Sequence, residues 1–289
     1  MPDEALRCGG GGGIIHVRFQ GAEMNVTTTS LLPRLSWTAG GPAIGERMVA
    51  EEAPVALVHN GSTTAVMMAT PADLEDFAIG FSLTEGLVSA LDQIRDVEAV
   101  RQAEGIEARV WLDAATAAKI AMRRRKLAGP TGCGLCGVES LAASKRSTSR
   151  VEAQGFSITP ESLLRGMSAM TDRQTLGHST RAAHAAGFWQ DETLVAVRED
   201  VGRHNALDKL VGALARKGAS SVGAVLLTSR VSVEMVQKVA AFGAPVICAV
   251  SAPTTLAVRT ADEAGVTLIA VCRADGFEVF THGARVDLA

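Results

Sequence analysis

The chain has 289 residues, a net charge of −3 and 47% apolar residues, enough to bury a core. At ~100–200 residues per domain, that length makes about two domains. Weak acidity excludes a dedicated nucleic-acid binder, which would be basic, and the lack of any run of ~18 apolar residues excludes a helical membrane span.

Residues 1–13 have neither the basic onset nor the apolar run of a signal peptide, so the expected compartment is the cytoplasm. Five cysteines, odd in number and sparse, fit reduced thiols better than a disulfide framework. Residues 1–45 are rich in Gly, Ser and Thr, and are expected to form a flexible extension with a short strand over 14–19.

An α+β module is expected over 46–128. Residues 52–68 read as a hairpin turning on Asn60-Gly61, a strong short hairpin signal. Thr70 reads as the N-cap of the next helix, with Pro71 at its first position and acids in its first turn. Leu74, Phe77, Ala78 and Phe81 recur at i, i+3, i+4 and i+7 and mark its buried face, and Gly86 stops it. Strands follow over 97–100 and 106–112. An Ala-rich helix over 114–127 ends in the basic run Arg123-Arg124-Arg125-Lys126.

Residues 129–155 form the expected loop and linker. Within it, Gly132-Cys133-Gly134-Leu135-Cys136-Gly137 places two thiols among glycines, a composition that neither a strand nor a helix tolerates. The basic run upstream favours thiolate, the reactive form. Structural zinc would need a second ligand pair, which is missing. A zinc deaminase would need His-x-Glu and Pro-Cys-x-x-Cys, also missing. A redox pair and a persulfide carrier remain open.

Residues 156–289 read as an α/β domain. Thr159-Pro160 caps a helix to about 170. Strands over 194–197, 224–227, 246–250 and 267–271 alternate with helices over 203–215, 231–241 and 255–264, and a segment over 277–280 closes the series. This alternation predicts a largely parallel sheet. Ligands of such sheets bind beyond the carboxyl ends of the strands. Those ends carry Arg198–Asn205, Thr228-Ser229-Arg230, Ser251–Thr255 and Cys272–Gly276, a set suited to an anionic, phosphate-bearing ligand. No Gly-x-Gly-x-x-Gly or Walker motif is present. His204, just past a strand end, is a further candidate, with a capping role equally open.

Several segments in order resemble the FdhD-type sulfur carriers, accessory proteins of formate dehydrogenase, over about residues 51–281. They are Asn60-Gly61 with the helix through Thr84-Glu85-Gly86, the Gly-Cys-Gly-Leu-Cys-Gly run, Arg198-Glu199-Asp200-Val201-Gly202-Arg203-His204-Asn205-Ala206-Leu207-Asp208-Lys209, Ser229-Arg230-Val231-Ser232 and Ala249–Thr254. The resemblance implies a cytidine-deaminase-like α/β/α layer without its zinc, beside a smaller N-terminal α+β module. It implies a sulfurtransferase-like role. Cys133 accepts sulfur from a cysteine desulfurase as a persulfide, with Cys136 assisting. The sulfur then passes to the molybdenum bis(molybdopterin guanine dinucleotide) cofactor of formate dehydrogenase, with no permanently bound metal. It further implies a homodimer that binds a guanine nucleotide moiety. Resemblance and strand ends together place that moiety at Cys272, Arg273, Ala274, Asp275, Gly276 and Phe277, with Ser229, Arg230, Ser251, Pro253 and Thr254.

Two other functions stay open on the residues alone: cofactor delivery without sulfur transfer, and thiol–disulfide exchange. One departure from the family pattern is visible. Where relatives carry a Thr-Gly-Gly-x-His-Ala-Ala-like stretch, this chain reads Thr180-Arg181-Ala182-Ala183-His184-Ala185-Ala186, so a different turn is expected before His184.

Overall fold

The computed structural model describes residues 27–127, 149–152 and 155–288. The glycine run, the predicted strand over 14–19 and the whole Cys133–Cys136 segment lie outside the described residues.

The first described elements are a hairpin, β1 (Thr29–Thr38) and β2 (Gly41–Ala50), within a stretch whose composition suggested no strand beyond residue 19. A four-stranded sheet follows, made of β3 (Ala53–His59), β4 (Ser62–Ala69), β5 (Ile94–Gln102) and β6 (Gly105–Leu112), in the order β4-β3-β6-β5. The Asn60-Gly61 turn between β3 and β4 has φ of 48° and 74°, the left-handed pair that a tight hairpin demands. Helix α1 (Leu74–Thr84) lies on this sheet, burying Leu74, Phe77, Ala78 and Ile79. It starts later than the sequence suggests. Asp73, not Thr70, stands at its N-cap, with φ 52° and no side-chain capping bond. Thr70 is spoken for elsewhere, because its backbone and hydroxyl bind the other half of the chain. Helix α2 (Ala114–Leu127) matches its expected bounds.

After α3 (Pro160–Asp172), whose Thr159 caps Ser162 N, comes the short α4 (Thr175–Thr180). A six-stranded sheet is then built from β7 (His184–Gln190), β8 (Thr193–Asp200), β9 (Ala224–Leu227), β10 (Val246–Ala249), β11 (Thr267–Arg273) and β12 (Gly276–Val279). Its order is β12-β11-β10-β9-β7-β8. The expectation of a largely parallel sheet holds for β9, β10 and β11. It fails for β7, which is antiparallel to both neighbours, and for β12. The missed strand is β7. Its His-Ala-Ala-Gly-Phe-Trp-Gln sequence has no alternation, because both faces of this inner strand are covered. Its turn to β8, Asp191-Glu192, is left-handed at both positions (φ 47° and 59°) without a glycine to announce it.

Helices α5 (Arg203–Arg216), α6 (Val233–Phe242) and α7 (Thr255–Ala264) cover one face of this sheet, and α3 covers the other. Alternate strand residues serve the two faces: Val225, Leu227, Ile247 and Ala249 toward α5–α7, and Ala224, Leu226, Val246 and Cys248 toward α3. Helix α1 then packs on the outside of α5, so α5 is buried from Asn205 to Leu214. The two helices cross backbone to backbone. A Cβ added at Gly80 would sit 1.7 Å from the Asp208 carbonyl oxygen, and one at Gly212 would sit 1.9 Å from that of Asp76. No described helix is long and apolar enough to cross a membrane.

The turn before β7 is left-handed at Arg181. Arg181 adopts φ 58°, closes α4 and donates its N–H to Gly177 O at 2.8 Å. A side chain in that region costs about 1–2 kcal/mol, which the anchored ends of α4 and β7 offset.

Candidate functional site

Strands β8, β9, β10 and β11 run in one direction, so their carboxyl ends share an edge with the start of β7 and the turn into β12. The loops after β9 and β10 are stitched together there. Val231 N donates to Ala252 O at 3.3 Å, and Thr254 N donates to Val231 O at 3.0 Å. Val271 N of β11 donates to Ser251 O at 3.4 Å. Ser229, Arg230, Ser251, Pro253, Thr254 and the Arg273–Gly276 turn therefore do converge.

Their chemistry is uneven. Thr254 Oγ1 caps α7 by accepting from Ala257 N at 3.2 Å, and Ser229 Oγ donates to Arg230 O at 3.0 Å, so both hydroxyls have local work. Arg230, Ser251, Arg273, Ala274 and Asp275 face solvent. Gly276, at φ 150°, pairs with Arg273 across the turn, and Phe277 packs partly against the α3-side core.

Cys272 points the other way. A bulge at Val271 (φ 52°) shifts the alternation of β11, so Ile269 and Cys272 fall on one face although three residues apart. Cys272 is 2% exposed and reaches the buried Cys248. The Cys248 thiol donates to it, which pushes the Cys248 pKa well above its usual value and draws that of Cys272 down.

Two histidines stand beside this edge. His184 opens β7 opposite Asp200. Burial lowers its pKa, the Arg203 charge lowers it further, and Asp200 opposes both. His204, in the first turn of α5, is held down to about 4 by burial and by the Arg203 and Lys238 charges. It caps nothing, since Gly202 is the N-cap of α5, and its Nε2 is buried without a hydrogen-bond partner, as is Arg203 Nε. A neutral imidazole beside an arginine can donate to or accept from a polar ligand at this edge without adding charge.

His204 also has a pH signature. The unfolded chain takes up a proton near pH 6.5 that the folded chain refuses until about pH 4, so stability falls as pH drops through that window. The full loss is about 3 kcal/mol. Urea titrations at about pH 7 and about pH 4.5 are expected to show it, with His204→Gln flattening the slope. An unchanged slope in the variant would place the effect elsewhere.

The long segment from Arg198 to Lys209 does different work from that expected of a strand end. Arg198 grips Asp76 of α1 through Nε and Nη2 at 2.9 and 2.6 Å, and Arg216 joins at 2.8 Å. Glu199 accepts from Leu176 N and Gly177 N at 2.9 and 2.7 Å, an anion at the start of α4. Asp200, fully buried, accepts from Thr70 N at 3.0 Å, Gly202 N at 2.8 Å and Asn205 Nδ2 at 2.9 Å, and pairs with Lys209 at 2.6 Å. Lys209 Nζ also donates to Thr70 O at 2.8 Å. Asp208 accepts from Thr84 Oγ1 at 2.7 Å and from Lys238. Burial pushes the Lys238 ammonium down, but Asp208 and Glu85 outweigh it and leave it raised. These bonds lock the N-terminal module to the α/β domain and fix the candidate edge against it. The strand-end argument makes only Arg198–Asn205 ligand-facing, and the alternation of acids and bases from Arg198 to Lys209 suits ion pairs as well as ligands.

The candidate edge can be set beside known proteins. The chain is 51% identical over 257 residues to a sulfur carrier protein FdhD of Agrobacterium fabrum, covering 88% of this chain and 95% of that one. It is 48% identical over 252 residues to one of Cupriavidus necator, covering 86% and 87%. The fold matches the crystal structure of a protein described as a formate dehydrogenase accessory protein, from Desulfotalea psychrophila. The TM-score is 0.73 at 25% identity, over 90% of this chain and all of that one. The FdhD/NarQ family model matches residues 50–287, which span the clamp, the Cys133–Cys136 segment and the whole strand-end edge, so this chain belongs to the FdhD/NarQ family.

Proposed function

We propose that this chain is a sulfur carrier that serves formate dehydrogenase, taking sulfur from a cysteine desulfurase on Cys133 and passing it to a molybdenum bis-guanine-dinucleotide cofactor. What carries the reading is that relatives about half identical over nearly their whole length bear the sulfur-carrier name, while this chain holds a glycine-flanked Cys-x-x-Cys inside the matched region.

The chemistry is thiol exchange. The Cys133 thiolate attacks the outer sulfur of the donor's persulfide. The donor S–S bond breaks, its thiolate leaves, and Cys133 becomes a persulfide. Cys136 attacks the inner sulfur and expels hydrosulfide toward the acceptor. The transferred sulfur is reduced, the two cysteines are oxidised to a disulfide, and cellular thiols reset the pair. The cofactor is the substrate that receives sulfur. The strand-end edge, chiefly Arg230, Ser251 and Arg273–Phe277, is the part of the fold suited to its guanine nucleotide end, with the neutral His204 and the Arg203 guanidinium alongside. The resemblance adds a homodimer in the cytoplasm.

Intact mass after incubation with an active desulfurase and cysteine, without reductant, tests the reading. Wild type is expected to gain one sulfur atom, reversibly by reductant. Cys133→Ala is expected to lose the gain entirely, and Cys136→Ala to keep loading but release sulfur more slowly. No gain in wild type would overturn sulfur transfer and leave cofactor delivery as the function.

A further inference from the structure

At the start of α5, two side-chain atoms are buried without a hydrogen-bond partner, Arg203 Nε and His204 Nε2. Folded proteins pair nearly all such atoms, so an unpaired one calls for an explanation, and a ligand is one. Neither side chain is fully buried, so each keeps a side open to solvent. Glu234, in the first turn of α6, is exposed, and its carboxylate lies within electrostatic reach of both Arg203 and His204. The charges around them are committed elsewhere. Lys238 binds Asp208 and Glu85, Asp200 binds Lys209, and Glu199 holds the start of α4. What remains, beside the half-buried His184, is one guanidinium, one neutral imidazole and one carboxylate.

That set suits a ring with both donors and acceptors better than a phosphate, which the Glu234 carboxylate would repel. Guanine presents acceptors at O6 and N7 and a donor at its 2-amino group, with a second donor at N1 beside it. We infer that Glu234, Arg203 and His204 read the guanine base of the nucleotide. The two carboxylate oxygens of Glu234 accept from N1–H and from the 2-amino group. The Arg203 guanidinium donates to O6 and N7, and the neutral His204 completes the pairing without adding charge. Adenine carries an acceptor at N1, which would set a lone pair against the carboxylate. The phosphates then point along the edge toward the exposed Arg230 and Arg273. Arg230 lies in the loop between β9 and α6, and β11 stands two strands from β9. That distance, roughly 10 Å, is within the span of a nucleoside diphosphate. The inference rests on the guanine nucleotide of the proposed function and adds the residues that tell guanine from other bases.

Titration calorimetry with guanosine, inosine and adenosine diphosphates tests it, because inosine differs from guanosine only by the missing 2-amino group. Wild type is expected to bind the guanosine form at least about 10-fold more tightly than the inosine form, the worth of a charge-assisted hydrogen bond, and the adenosine form more weakly still. Glu234→Gln is expected to bring the guanosine form down to the inosine level and to leave inosine binding where it was, which a merely structural role would not do. Arg203→Gln is expected to weaken both equally, since both carry O6 and N7. A wild type that binds the guanosine and inosine forms alike would overturn the inference, and so would a Glu234→Gln protein that keeps the wild-type ratio. In either case the nucleotide still binds, and only the base reader fails. A wild type that binds none of the three would overturn the nucleotide placement together with the inference. Sulfur loading on Cys133 is read separately by mass, so that proposal stands or falls by itself.

Discussion

Gly80→Ala is expected to destabilise the protein by about 3 kcal/mol or more, the upper range for overpacking. The new methyl would lie 1.7 Å from the Asp208 carbonyl oxygen, inside any permitted contact, and that oxygen belongs to a helix backbone that cannot swing aside. Helices α1 and α5 would have to part. Their separation would loosen the Thr84–Asp208 and Asp76–Arg198 contacts that depend on the crossing. Gly212→Ala meets the Asp76 oxygen at 1.9 Å and should cost a similar amount. The double variant should cost less than the sum, because helices already parted leave room for the second methyl. Gly45→Ala, with open space around it, is the control and should stay within about 0.5 kcal/mol of wild type. Urea midpoints give all four values. A Gly80→Ala protein within about 1 kcal/mol of wild type would mean that the crossing is wider than the structure shows.

Asp200→Asn is expected to cost about 3–5 kcal/mol, the range for removing one partner of a buried ion pair. Asp200 and Lys209 are both fully buried, so the charge left behind has no water to turn to. The Lys209 ammonium would keep Thr70 O as its acceptor and lose its counter-charge. Lys209→Met is expected to cost less, because the Asp200 carboxylate retains three donors, from Thr70, Gly202 and Asn205. Combining the two should recover part of the loss, and a double-mutant cycle by urea denaturation measures the coupling. A cost below about 1 kcal/mol for Asp200→Asn, a surface-pair value, would refute the clamp. Thr70→Val probes the same joint from the other side, by removing the hydroxyl that accepts from Val201 N at 3.1 Å.

The clamp also explains where sequence reading stopped. The helix over 203–215 was legible from Leu207, Leu210, Val211 and Leu214, which do face the core. The same periodicity assigns Asp208 and Lys209 to a solvated side. They are buried because α1 covers that side, and their partners, Thr84 and Thr70, lie more than a hundred residues earlier. Thr70 carried every local mark of an N-cap, and the tertiary contact with Asp200 took precedence. Strand β7 was missed for a related reason: an inner strand covered on both faces shows no alternation, and its turn uses Asp191-Glu192 where a glycine would have signalled it. The convergence of Ser229, Ser251 and Arg273 was legible, because equivalent strand ends share an edge in this topology. The inward turn of Cys272 was not, because it depends on a bulge at Val271 that no local pattern announces.

By itself the sequence determined the helices other than the short α4, most strands, the Asn60-Gly61 turn, the thiol pair and the family, since hydrophobic period, caps, turn residues and motif order are all written locally along the chain. Tertiary structure decided how α1 and α5 meet, which charges are buried and which way Cys272 faces. Each of these depends on which distant segments come together, and a residue's own neighbours in sequence carry no record of that.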